Sequence, residues 1–155
     1  MNSSNYVVVH IKLTEGANDG AAAWRGQYSG HVSLEIFYNG GRHIVSYSPA
    51  NGYAKDVGIF DQDDPNDFSH VRIVLYDLDF EVIIRRFQLL DGAAKRSQLK
   101  WHAIARLGSE TEGASIYNCA SISWHLLCIG GALFLNLPQC LLSQNLSGSM
   151  TMWHA

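Results

Sequence analysis

The run His31-Val32-Ser33-Leu34-Glu35-Ile36-Phe37-Tyr38, followed at once by Asn39-Gly40, leaves little choice over what forms there. Its alternation puts Val32, Leu34 and Ile36 on one side of an extended strand and His31, Ser33 and Glu35 on the other. Asn-Gly supplies the two residues that tolerate positive φ in a type I′ turn, so Arg42 to Ser48 returns as the partner strand. A two-residue turn also fixes register. Tyr38 then faces Gly41, Ser46 faces Ser33 and Ser48 faces His31, which gathers His31, Ser33, Glu35, Ser46 and Ser48 on one polar face. Val32, Leu34, Val45 and Tyr47 share the apolar face, and a slip of one residue would exchange the two. A polar face headed by a histidine is expected to form one wall of a cleft.

Further elements flank this hairpin. Tyr6 to Leu13 and His70 to Tyr76 are rich in β-branched residues and read as strands of the same sheet. Thr14 to Ala23 reads as a Gly-, Ala- and Asn-rich loop, after which Trp24 and Tyr28 either wall a pocket or pack in the core. Asp56 to Ser69, with Asp61, Asp63, Asp64 and Asp67 around Pro65, reads as a solvated acidic loop. It lacks the glycine and distal glutamate of a calcium-binding EF-hand loop, so no metal is expected there. Asp77 to Leu90 carries acids early, arginines late and an apolar stripe of Phe80, Ile83, Ile84, Phe87 and Leu90, which predicts a helix stopped by Asp91-Gly92. A second short helix carrying Trp101 is expected within residues 93–107, and residues 108–113 form a flexible approach to a further helix near Cys119. The resulting class is α+β, an antiparallel sheet of about four to five strands packed against helices.

With 155 residues, 47% of them hydrophobic and 16% charged, the chain reads as one globular domain, its core spanning 6–135 and its tail, 138–155, loosely ordered. A net charge of −3 and 11 basic residues without a long run exclude the electrostatic footprint of a duplex-binding protein, so no nucleic-acid partner is expected. Three cysteines, an odd number, point to a reducing compartment or at least one free thiol. The first residues lack the basic segment of a signal peptide, so the chain is expected to be cytoplasmic, or secreted without a standard signal. Ile122 to Leu137 is shorter than the roughly 20 residues of a membrane helix and is interrupted by His125, Gly130, Gly131 and Asn136. No transmembrane segment is expected, which leaves room for peripheral membrane contact.

Chemistry concentrates in Tyr117-Asn118-Cys119-Ala120-Ser121. Ser115 and Asn118 are good N-cap types and Gly130-Gly131 a good stop, so a helix is expected to open at Cys119. There a thiol meets the positive end of the helix dipole and unpaired N–H groups, which favour thiolate and could also hold an oxyanion. The competing reading is a small buried hydrophobe, because free cysteine is among the most buried residue types. A nucleophilic thiol needs a base within hydrogen-bond reach and a third group to orient that base. His125 lies six residues beyond Cys119, about 240° around a helix, and points away. His31, heading a polar strand face, is the best-placed candidate. Zinc held by Cys119, Cys128 and histidines is disfavoured, because nine helical residues place the two thiols about 180° out of phase. No cofactor or metal is expected.

Three stretches, taken in order, resemble the circularly permuted papain-like cysteine hydrolases, a superfamily that includes NlpC-type peptidases, lecithin:retinol acyltransferase-like enzymes and PPPDE peptidases. They are Gly30-His31-Val32-Ser33-Leu34-Glu35-Ile36, Ser46-Tyr47-Ser48-Pro49, and Tyr117-Asn118-Cys119-Ala120-Ser121 opening a helix that ends at Gly130-Gly131. As in permuted members, the histidine strand precedes the cysteine helix, and the likeness in layout covers about residues 6 to 135. The resemblance implies Cys119 as nucleophile and His31 as general base and acid. For the third residue, alignment on the proline after the strand points to Ser46. The two-histidine spacing of the acyltransferase-like branch would instead pick His43, which the hairpin register puts on the apolar face, and Ser48 is the remaining alternative. The implied activity is acyl transfer from an amide, ester or thioester of a peptide, protein or lipid substrate, to water or another acceptor. Small stand-alone members of this kind are similar to bacterial effectors and toxins. A reading from another class, a non-catalytic binding or regulatory module on the same fold, stays open.

Overall fold

The structure is a computed structural model that describes residues 4–13, 30–51, 55–102, 110–111 and 114–132. Its strands are β1 (Tyr6–Lys12), β2 (His31–Tyr38), β3 (Gly41–Pro49), β4 (Lys55–Asp61), β5 (Val71–Leu75), β6 (Lys100–His102), β7 (Glu110–Thr111) and β8 (Ala114–Tyr117). Among the described residues two α-helices accompany them, α1 (Phe80–Lys95) and α2 (Cys119–Ile129), with a 3-10 turn at Pro65–Asp67. The class is α+β. The sheet is larger than expected, with eight strands among the described residues in the order β5-β1-β2-β3-β4-β6-β8-β7, and it is mixed, because β6 and β8 run parallel. Trp24, Tyr28 and the tail from residue 138 lie outside the described residues.

The β2–β3 hairpin forms in the expected register, with Tyr38 opposite Gly41 and Leu34 opposite Val45. Asn39 at φ 50° and Gly40 at φ 78° make the turn, both in the left-handed region that this turn type requires. On the other side β2 pairs with β1, Leu34 opposite Val9 and Ser33 opposite His10. One face of the sheet presents Val7, Val9, Ile11, Val32, Leu34, Ile36, Val45 and Tyr47, all buried beneath Phe80, Ile83, Ile84, Leu90, Ile122 and Leu126 of the two helices. These helices meet end to end. The backbone N–H of Asp79, the N-cap of α1, donates to Gly130 O at the close of α2.

Three expectations need correction. Asp91-Gly92 does not stop α1, which continues to Lys95: Asp91 pairs with Lys95 one turn on, and Ala94 is buried. A glycine costs a helix interior about 1 kcal/mol, a loss that burial of the last turn and good helix formers around it can offset. Trp101 lies on a strand, β6, and not on a helix, because its edge of the sheet is completed by β4 and β8. Residues 56–69 are not one solvated loop. Their first part is β4, and their second folds over the polar face of β1 and β2.

That roof changes the expected cleft wall into an interior. Glu35 Oε2 accepts from Arg42 Nη2 at 2.6 Å and from Asn66 Nδ2 at 2.8 Å, while Arg42 also reaches Asp64 at 3.0 Å. His10 Nδ1 and Ser69 Oγ lie 3.0 Å apart. A buried carboxylate without such donors would carry a desolvation cost of several kcal/mol, so the segment 62–70 and Arg42 are what allow Glu35 to be there. Among the described residues no helix is long and apolar enough to cross a membrane.

Gly58 marks the tightest contact in this framework. A Cβ at that position would overlap the ring of Tyr47, which is fully buried and donates its hydroxyl to Lys100 O at 2.9 Å. The ring has little room to give way, since it is buried and its hydroxyl is tied to Lys100 O. Gly58→Ala is expected to destabilise the fold by about 2 kcal/mol, read as a fall in the denaturant midpoint without a change in slope.

Candidate active site

The start of α2 is built by a capping box. Asn118 Oδ1 accepts from the backbone N–H of Ser121 at 2.7 Å, and Ser121 Oγ accepts from the backbone N–H of Asn118 at 2.9 Å. This identifies Asn118, not Ser115, as the N-cap and makes Cys119 the first helical residue. The other end closes as expected, with Gly131 at φ 85° while Ala132 N–H reaches Leu127 O and Gly131 N–H reaches Cys128 O. Both ends are therefore fixed by local chemistry, and the thiol is held at the positive pole.

Cys119 meets His31 there, at the leading end of β2. Burial pushes the thiol's pKa up, but the neighbouring imidazole, its hydrogen bond to the sulfur, and the backbone N–H groups of Val32 and Ala120 outweigh that and leave the pKa below an ordinary thiol's. The reciprocal effect holds for His31. Burial pushes its pKa down, and the Cys119 charge and hydrogen bond, with a further contribution from Asp61, bring it above the usual histidine range against an opposing push from Lys12. Both directions move the balance toward a thiolate–imidazolium pair relative to an isolated thiol and imidazole.

His31 Nε2 and Ser46 Oγ lie 3.0 Å apart, so the ring's other nitrogen, Nδ1, is left for the sulfur. Ser46 is buried and sits diagonally across the β2–β3 ladder from His31, a distance that side chains readily bridge. Phe68, from the roof over the polar face, sets its ring edgewise to the imidazole with centroids 6.0 Å apart. The ring is thus gripped from two sides.

The other candidates lie elsewhere. Ser48 hydrogen-bonds Asp61 Oδ2 at 2.8 Å, and His43 faces Ile36 on the opposite side of β3 from Ser46. His125 accepts from Arg86 Nε at 3.0 Å and packs beside Tyr117, its expected orientation away from the thiol. Cys128 is exposed near the far end of α2. Reasoning from sequence missed the Val32 N–H, since backbone donors leave no mark in residue identity. It also missed Asp61, whose strand was hidden inside an apparently acidic loop.

Chemically, the arrangement offers a nucleophile with a lowered pKa, a proton carrier beside it, and N–H donors at a helix start where a developing oxyanion can be held. Among the described residues no group of three or more His, Cys, Asp or Glu side chains is placed to hold a metal. Comparisons with protein-family models, curated proteins and solved structures find no match to this chain.

Because the Cys119 pKa lies below that of an ordinary thiol, thiolate persists to lower pH than in a free cysteine. Removing the imidazole leaves burial unopposed except by the two N–H groups, so the titration moves upward. His31→Ala is expected to slow iodoacetamide labelling of Cys119 at neutral pH by about tenfold or more, with Cys128 as the internal reference in site-resolved mass spectrometry.

Proposed function

We propose that this chain is a thiol-dependent hydrolase or acyltransferase that carries an acyl group on Cys119. The meeting of Cys119 and His31 carries the reading: the imidazole hydrogen-bonds the sulfur while Ser46 holds its Nε2, and the directions in which the two pKa values move agree with that contact. The order of the site along the chain, histidine strand first and cysteine helix last, with a sheet packed on that helix, resembles the permuted papain-like layout and supports the same assignment.

In the proposed reaction the sulfur of Cys119 bonds to the carbonyl carbon of an amide, ester or thioester, and the carbonyl π pair moves onto oxygen. At the start of α2 the Ser121 N–H is taken by Asn118 and the Ala120 N–H by the sulfur, so the Cys119 N–H is the candidate donor to that oxyanion. As the tetrahedral species collapses, the bond to the leaving group breaks and His31 gives that group its proton. Water or another acceptor then loses a proton to His31 and attacks the thioester, expelling thiolate and restoring the ion pair. Ser46 holds the ring through Nε2 during both transfers. The substrate is a peptide, protein or lipid acyl compound, and a role as a bacterial effector or toxin follows from the resemblance.

One observation favours the second reading, a binding or regulatory module. Cys119 is only 8% exposed, which limits the access of an acyl donor to its sulfur. A panel of activated esters, thioesters and peptide amides decides between them. The enzyme reading expects a mass increase of one acyl group on Cys119, absent in Cys119→Ala, lost in His31→Ala and slowed roughly tenfold in Ser46→Ala. Unmodified Cys119 with every donor class, in a folded protein, would favour the module.

A further inference from the structure

The third position of this site is a serine, which orients an imidazole but brings no charge to stabilise imidazolium. The adjoining strand carries a carboxylate that can do so. In the β3–β4 ladder Asp61 stands opposite Ser46, so both project on the side of the sheet that carries Ser46 and Ser48 and away from the Tyr47 side. Its position is fixed twice: Oδ2 accepts from Ser48 Oγ at 2.8 Å, and Oδ1 accepts from the backbone N–H of Asp63 at 3.3 Å. Ser46 holds the ring at Nε2, and Asp61 on the next strand places a negative charge beside it.

We propose that Asp61 is a positioning residue of the Cys119–His31 pair, a carboxylate pinned by Ser48 whose negative charge, set across the ladder from Ser46, favours the protonated imidazole; this rests on reading those two residues as a reacting pair. The charged groups that bear on His31 come from three elements: Cys119 on α2, Asp61 on β4 and Lys12 on β1. Lys12 acts in the opposite sense to the two anions, and Ser46 and Phe68 complete the ring's surroundings without charge. Asp61 therefore supplies what the serine lacks.

The test tracks the His31 ring C–H resonance by NMR against pH in the full chain, beside the ultraviolet absorbance of the Cys119 thiolate. Asp61→Asn keeps the size and an acceptor for Ser48 but removes the charge, and is expected to lower the His31 midpoint by roughly half a pH unit. Asp61→Glu should keep most of the wild-type midpoint, and Ser48→Ala, which frees the carboxylate, should fall between. An unchanged midpoint in Asp61→Asn, with a low-pH thiolate that still depends on His31, overturns the role of Asp61 and leaves the pair standing. Absence of any His31-dependent thiolate in the wild type removes the pair and this role with it. If Asp61→Asn does not fold, Ser48→Ala decides, and a wild-type midpoint there overturns the proposal.

Discussion

The register of β2 is the constraint on which everything else hangs. This strand is covered on both sides, by the helices over Val32, Leu34 and Ile36 and by the segment 62–70 over Ser33 and Glu35. A shift of one residue would drive Glu35 into hydrocarbon and turn three aliphatic side chains toward the polar roof. The Asn39-Gly40 turn sets this register locally, and the same choice determines that His31 leads the strand with Ser46 one diagonal away. Register and chemistry are one decision.

Against that strand end, α2 delivers its first residue. The thiol is drawn in two directions, since burial raises its pKa while the imidazole and two backbone N–H groups lower it. Burial does not merely oppose ionisation. By excluding water it strengthens each of the interactions that favour the charged pair, so a well-partnered thiolate in a dry site answers more strongly to its neighbours than one in solvent. The capping box matters here because it occupies the Ser121 N–H and leaves the Ala120 N–H for the sulfur.

The polar roof ties the rest of the molecule to this point. Asn66 and Arg42 satisfy Glu35, Ser69 meets His10, and between them Phe68 is brought against the imidazole. Arg42 remains 39% exposed on its side chain, so its pair with Glu35 is partly screened and works more to satisfy the carboxylate than to add stability. The segment that secures a buried acid also secures the ring that abuts His31.

What could be read from the residues alone was whatever local chemistry decides. Alternation and Asn-Gly determined β2, β3 and their pairing, and cap types determined that a helix opens at Cys119 and closes at Gly130-Gly131. The polar face that put Ser46 near His31 came from the same register. Tertiary structure alone decided the rest. Lys55–Asp61 looked like loop because its acids and Gly58 mask a strand, and it becomes one by pairing with β3 and β6, where Gly58 leaves room for the Tyr47 ring. Trp101 joins a sheet since partners exist on both sides of it, and α1 outruns Asp91-Gly92 since its last turn is buried. Closing the site needed long-range placement too: α2 is brought to β2 from far along the chain, and no spacing encodes that a sulfur, an imidazole and the N–H of Val32 converge. Turns and caps are settled between neighbours in sequence, whereas the partners of a strand edge and the surroundings of a charge are settled by packing.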